Sequence, residues 1–155
     1  MRKTNSGYTL VEALISIALL SVILLGVYGV LQTGSTVTTN DEALLQTQQQ
    51  ARNAMDRIVR EVRQSSALTV TVIDSSSDKA TFTIPTATGI QYYLSGTNLV
   101  REYPSGTLLT VANSIAYLKF TLAGSLLTIN LRADKVLFGK TVSFPLIEQV
   151  RLRNE

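Results

Sequence analysis

The side chain best placed to do chemistry in this chain is that of Glu12. It is a lone carboxylate at the head of an apolar run. Residues 13–31 carry no charge, and their polar members are Ser16, Ser21 and Tyr28. An ionisable group at the mouth of such a run is costly, and reads as functional by default. Ahead of it stand Met1-Arg2-Lys3-Thr4-Asn5-Ser6 and then Gly7-Tyr8-Thr9-Leu10-Val11. Glu12 follows Tyr8 by four residues, about 6 Å of helix rise. A cut between Gly7 and Tyr8 would create an amine close to Glu12. Within one helix the geometry for a strong pair is poor. Between neighbouring subunits drawn together in a membrane, one amine can meet the next subunit's carboxylate, and low dielectric strengthens that attraction. The plainer alternative is that Glu12 sits at headgroup level and ionises in water.

The element that would position this carboxylate is a membrane span. As a helix, residues 13–31 rise about 28 Å, close to the ~30 Å of a bilayer core. Arg2 and Lys3 put the leader on the cytoplasmic side by the positive-inside rule, and the rest of the chain outside.

No other constellation points to catalysis. The chain has no cysteine and no histidine, which removes most zinc chemistry and the commonest general base. It shows no phosphate-cradling glycine loop. Asp74, Asp78, Glu102, Asp134 and Glu148 are scattered over loops and strand ends. Asp74 and Asp78 lack the spacing of a calcium loop. The expectation is a non-enzyme with no cofactor and no metal. The formal charge is +3, but two of the 14 basic residues lie in residues 1–7, and the rest nearly balance 11 acidic ones. That balance gives little ground for a nucleic-acid partner.

A conventional secretory signal does not fit. Its apolar core would run 7–15 residues before a small-x-small cleavage site, and Gly34-Ser35-Thr36 is a poor one. A lipoprotein signal needs a cysteine. A plain signal anchor remains as the alternative, with Gly7 and Glu12 left to chance.

Together, a short basic leader ending in Gly7, the aromatic Tyr8, Thr9-Leu10-Val11-Glu12 and the apolar run resemble the class III signal of type IV pilin-like proteins. These include pilins, minor pilins and the pseudopilins of type II secretion. The resemblance implies cleavage between Gly7 and Tyr8 by a prepilin peptidase, N-methylation of Tyr8, and Glu12 as the assembly carboxylate. It also implies other pilin-like subunits as partners through the N-terminal helix, and an inner-membrane assembly platform with its ATPase. The subunit would wait in the cytoplasmic membrane as a single-pass protein, then join a cell-surface filament or pseudopilus. Tyrosine stands where phenylalanine is usual. Gly26, Gly29 and Gly34 stand in the region where major pilins often carry a kinking proline.

Further along, residues 32–40 are polar, β-branched and of low helix propensity. Asn40 or Asp41 could cap a new helix there. The favoured reading is one helix from Thr9 through Ser66, soft at residues 34–39, and the resemblance adds to that preference. Leu44, Ala51, Met55, Ile58, Val59 and Val62 share one face at 100° per residue. Arg52, Arg60 and Arg63 fall opposite with Asp56, and Arg57 lies at the edge. Arg52–Asp56, Asp56–Arg60 and Arg57–Glu61 are spaced for helical ion pairs. The arginine face reads as solvated or subunit-facing, with a phosphate-binding stripe as the rarer reading.

After Ser66 the period changes to two. Strands are expected over residues 68–72, 80–84, 90–94, 99–103, 108–112, 115–122, 126–131, 140–144 and 147–153. Loops are expected at 74–78, 85–89, 95–98, 123–125 and 133–139, with Pro145 breaking the last pair or lying at an edge. One apolar face, including Phe82, Tyr92, Leu109, Phe120, Ile129 and Val142, should pack on the helix stripe. The expected plan is α+β: a cleaved leader (1–7), a transmembrane helix (8–31), an amphipathic helix (32–66) and an antiparallel β-sheet domain (67–155). The layout is similar to the larger minor pseudopilins of the J-like or W-like subgroup. Two other classes stay open: a DNA-uptake (competence) pseudopilin, and a plain single-pass anchored β domain.

Overall fold

The computed structural model describes residues 9–152. A single helix, α1 (Leu10–Arg63), is followed by eight strands. These are β1 (Ala67–Val72), β2 (Asp78–Ile84), β3 (Ala87–Ser95), β4 (Asn98–Glu102), β5 (Leu108–Ala112), β6 (Ile115–Ala123), β7 (Leu126–Leu137) and β8 (Lys140–Arg151). The chain divides between Glu42 and Ala43 into two compact units.

In the first unit, α1 carries its apolar residues in the open. Leu10, Leu14, Ile17, Leu20, Leu24 and Leu31 are among those exposed. This is the one helix among the described residues that is long and apolar enough to cross a membrane. The stretch expected to be soft stays helical. Thr33, Thr36, Thr38 and Thr39 donate their hydroxyls to the carbonyls four residues back, at 2.9–3.0 Å. A threonine rotamer suited to a helix makes that bond, so β-branching here is compatible with an unbroken ladder.

In the second unit, α1 ends at Arg63, short of the expected Ser66. Ser65 N–H donates to the Val62 carbonyl, and Ser66 N–H leaves the helix to donate to the Thr83 carbonyl of β2. The chain thus enters the sheet ladder as soon as low-propensity serines replace the helix formers.

The strands form two sheets rather than one. One has five strands in the order β1-β2-β3-β4-β5, and the other has three in the order β6-β7-β8. All pairs are antiparallel meanders. Ala51, Ala54, Met55, Ile58 and Val62 of α1 form one core with Phe82, Ile90, Tyr92, Leu118, Leu127 and Ile129. Each fully buried Ile or Leu there contributes about 2 kcal/mol. Phe82 and Tyr92 stack with ring centroids 5.8 Å apart.

Two expected core residues lie elsewhere. Leu109 is 45 % exposed on β5, an edge strand, and Val142 is only half-buried. Three expected loops are tighter than their sequences suggest. Residues 87–89 belong to β3, leaving Pro85-Thr86 as the turn. Residues 133–137 belong to β7, which pairs with β8 up to Leu137↔Lys140, so the turn is Phe138-Gly139. Both turn residues have positive φ, 50° and 74°, as a two-residue hairpin of type I′ needs. Ser95 and Asn98 pair directly across Gly96-Thr97. Pro145 lies within β8 opposite Arg132 without ending it, because β8 is an edge strand. Arg153 of the last expected strand lies outside the described residues.

The two sheets are joined by a buried clasp. Asp78, at the start of β2, accepts from the Lys119 ammonium at 2.8 Å and from the Phe120 N–H at 3.0 Å. Lys119 also donates to the Asp74 and Ser77 carbonyls. Both carboxylate oxygens of the buried Asp78 are thus hydrogen-bonded.

Candidate functional site

The site is built at the start of α1. Thr9 is the N-cap, since its carbonyl already accepts the first helical bond from Ala13 N–H at 3.2 Å. Glu12 is the third helical residue. Its carboxylate accepts from the backbone N–H and the hydroxyl of Thr9, both at 3.2 Å. The Thr9 hydroxyl accepts in turn from Glu12 N–H at 3.3 Å. This is a capping box, in which a threonine and a glutamate three residues apart satisfy each other's free helix-end donors. Ser16 donates to the Glu12 carbonyl at 2.8 Å. A negative side chain in the first turn also matches the positive end of the helix dipole.

Glu12 therefore has a structural partner that the reading of its charge did not include. The signal was present: Thr-x-x-Glu directly before an apolar run is the capping-box pattern. The carboxylate remains exposed, and nothing in the described chain neutralises it. Arg2, Lys3, Gly7 and Tyr8 lie outside the described residues.

The other candidate carboxylates are taken up singly. Asp74 accepts from the N–H and hydroxyl of Ser76 and from the N–H of Ser77, at 2.7–2.8 Å. The Ser76 hydroxyl and backbone bonds hold its pKa down at about 2. The Asp78 carboxylate faces Lys119 instead, so the two carboxylates do not converge on a common point. Glu102 accepts from the Tyr93 hydroxyl and from Gly106 N–H. Burial, then that bond to Glu102, raises the Tyr93 pKa. Asp134 pairs with Arg132 at 3.1 Å. Glu148 is exposed beside Arg52 and Asp56. Among the described residues, no three His, Cys, Asp or Glu side chains are grouped to hold a metal.

On the arginine face, only one of the three expected helical pairs forms. Arg57 reaches Glu61 at 3.5 Å. Arg52–Asp56 and Asp56–Arg60 are not within ion-pair distance among the described residues. Glu61 is held mainly from across the core: the Arg101 Nε on β4 lies 3.1 and 3.0 Å from its two oxygens. The guanidinium of Arg101 also lies 5.6 Å from the Tyr103 ring centre. Arg52, Arg60 and Arg63 are exposed.

Residues 2–28 match the family model of the prokaryotic N-terminal methylation motif. The match takes in the basic leader, Gly7, Tyr8, Glu12 and most of the apolar run. It supports a type IV pilin-like prepilin, which implies processing by a prepilin peptidase and assembly with other pilins. The exposed apolar helix is consistent with membrane anchoring before assembly at the surface. Comparison with curated proteins and with solved structures finds no match.

Proposed function

We propose that the chain is a minor pilin or pseudopilin, a structural subunit of a type IV pilus or a type II secretion-type pseudopilus. The observation that carries this reading is the coincidence of the methylation motif over residues 2–28 with a helix whose apolar side chains are unburied. The peptidase removes residues 1–7 and methylates Tyr8. Glu12 then meets the new amine of a neighbouring subunit, and the apolar helices gather as the filament core with the β domains outside. In this reading the work of the subunit is assembly on an inner-membrane platform.

The test is the intact mass and first residue of the protein made with and without a prepilin peptidase. A peptidase-dependent chain beginning at methylated Tyr8 supports the reading. A chain still beginning at Met1, where a known substrate is cut, leaves a plain signal anchor.

A second reading is a DNA-uptake pseudopilin. It draws on Arg52, Arg60 and Arg63, which are exposed and outside the ion pairs of the described residues. It requires a salt-sensitive DNA affinity that falls when these three are neutralised.

A further inference from the structure

We propose that the free end of the β7–β8 hairpin is an arm that contacts an anionic phospholipid surface, an inference that rests on the membrane-anchored reading above. The three-stranded sheet is ragged at this end. The β6–β7 pairing ends at Ile115↔Ala133, whereas β7 and β8 stay paired out to Leu137↔Lys140. Past Asp134, whose N–H still donates to the Ser114 carbonyl, residues 135–142 project as a two-stranded ribbon with no third strand among the described residues. Such ribbons are marginal on their own in water.

The tip is apolar where hairpin turns are usually polar. Phe138 is 71 % exposed and Val136 is 65 % exposed. Phe138 also holds a φ of 50°, in a turn position that Asn, Asp or Gly would fill without strain. A large aromatic residue is thus kept in water, in a costly backbone conformation, at the most projecting point of the ribbon.

The charge around it has one sign. Lys135 and Lys140 flank the tip, and from Lys135 to Ile147 there is no carboxylate. Asp134, at the base, is already taken by Arg132. Neither lysine forms an ion pair among the described residues. An aromatic tip between unpaired ammonium groups suits a boundary where phosphate lies above acyl chain.

The direction of the arm agrees. Phe144, Pro145 and Leu146 line a groove with Gln48, Ala51 and Arg52, and the next groove pairs Leu146–Glu148 with Arg52, Met55 and Asp56. β8 and the helix thus run the same way through this unit. The hairpin turn, which precedes those residues of β8, points toward the Ala43 end. From that end the chain leads back through the polar residues 32–42 to the apolar residues 13–31.

The chain contains no tryptophan, so single tryptophans can report on depth. The full chain is reconstituted in phosphatidylcholine vesicles with or without phosphatidylglycerol, using brominated acyl chains as quenchers. F138W is the probe, and V136W reports on the same arm from a residue of ordinary backbone should F138W misfold. V72W, 70 % exposed on β1, is the reference, and V22W checks that the span is inserted. In anionic vesicles the arm probes should be quenched at least about twofold more than V72W. Adding K135Q with K140Q should weaken the contact roughly tenfold and return quenching to the reference level. Arm probes quenched no more than V72W, while V22W is quenched, would overturn the arm and leave the anchor standing. An unquenched V22W would remove the anchor and the arm with it. Shielding of F138W from aqueous quencher that grows with chain density in neutral vesicles, without lipid quenching, would assign the arm to a second copy of the chain instead.

Discussion

One oxygen of the Glu12 carboxylate is shared between the N–H and the hydroxyl of Thr9, each at 3.2 Å. In the single subunit the helix end already uses the group proposed to recruit a neighbour. A second subunit's amine would have to join this arrangement or displace Thr9, so capping and charge make separable contributions.

Substitutions at the two residues separate them. Glutamine can occupy the third position of a capping box, so Glu12→Gln keeps the cap and loses the charge. Thr9→Ala keeps the charge and removes a cap worth about 1 kcal/mol. Both variants, and Glu12→Ala, should still be cleaved. Incorporation into filaments, read by the fraction recovered after shearing, should fall sharply for both Glu12 variants and stay near wild type for Thr9→Ala. Normal incorporation of Glu12→Gln would sink the charge-pair mechanism.

Tyr92 offers a test inside the core. Its ring is fully buried on Phe82, yet its hydroxyl meets no hydrogen-bond partner among the described residues. Burial, and then the nearby Glu61 carboxylate, raises its pKa far above the usual value. Since no bond is lost with the hydroxyl, Tyr92→Phe should change stability by less than about 0.5 kcal/mol, or stabilise. Tyr92→Ala should cost about 3–5 kcal/mol through the cavity it leaves. Denaturant unfolding of the detergent-solubilised chain compares the two.

Much of this fold is legible in the residues. The helical stripe from Ala51 to Val62 and the strict alternation in β1 and β2 name their periods directly, and the structure keeps them. Residues 133–137 are harder, because Ala-Asp-Lys-Val-Leu does not alternate in polarity. They become strand through five pairs with β8, from Ala133↔Phe144 to Leu137↔Lys140, closed by a turn whose first residue, Phe138, is not a turn-former by type. Leu109 misleads for another reason. Its apolar type suits a core, but whether β5 is central or at an edge depends on the order of strands. At the candidate site, the anomaly of a carboxylate before an apolar run drew attention from the ordinary Thr9–Glu12 cap.

The Asp74 turn should weaken only in strong acid. Its pKa is lowered from 3.8 to about 2 by the hydroxyl and N–H of Ser76 and the N–H of Ser77. A carboxylate whose folded pKa is depressed contributes stability above its unfolded pKa and loses it as pH falls through the folded value. The wild-type Tm should therefore drop between about pH 4 and pH 2 more steeply than that of Asp74→Ala. Parallel profiles would show that the turn contributes nothing to acid sensitivity.

The hydroxyls of Thr33, Thr36, Thr38 and Thr39 have a consequence for solubility in two media. Each is already bonded to a carbonyl of its own helix. A hydroxyl moved out of water unbonded costs about 1–3 kcal/mol, and a bonded one avoids most of that cost. A stretch that looks hydrophilic by composition is thus wetted by water without depending on it. Burial of these four hydroxyls against apolar neighbours would therefore leave none of them without a partner.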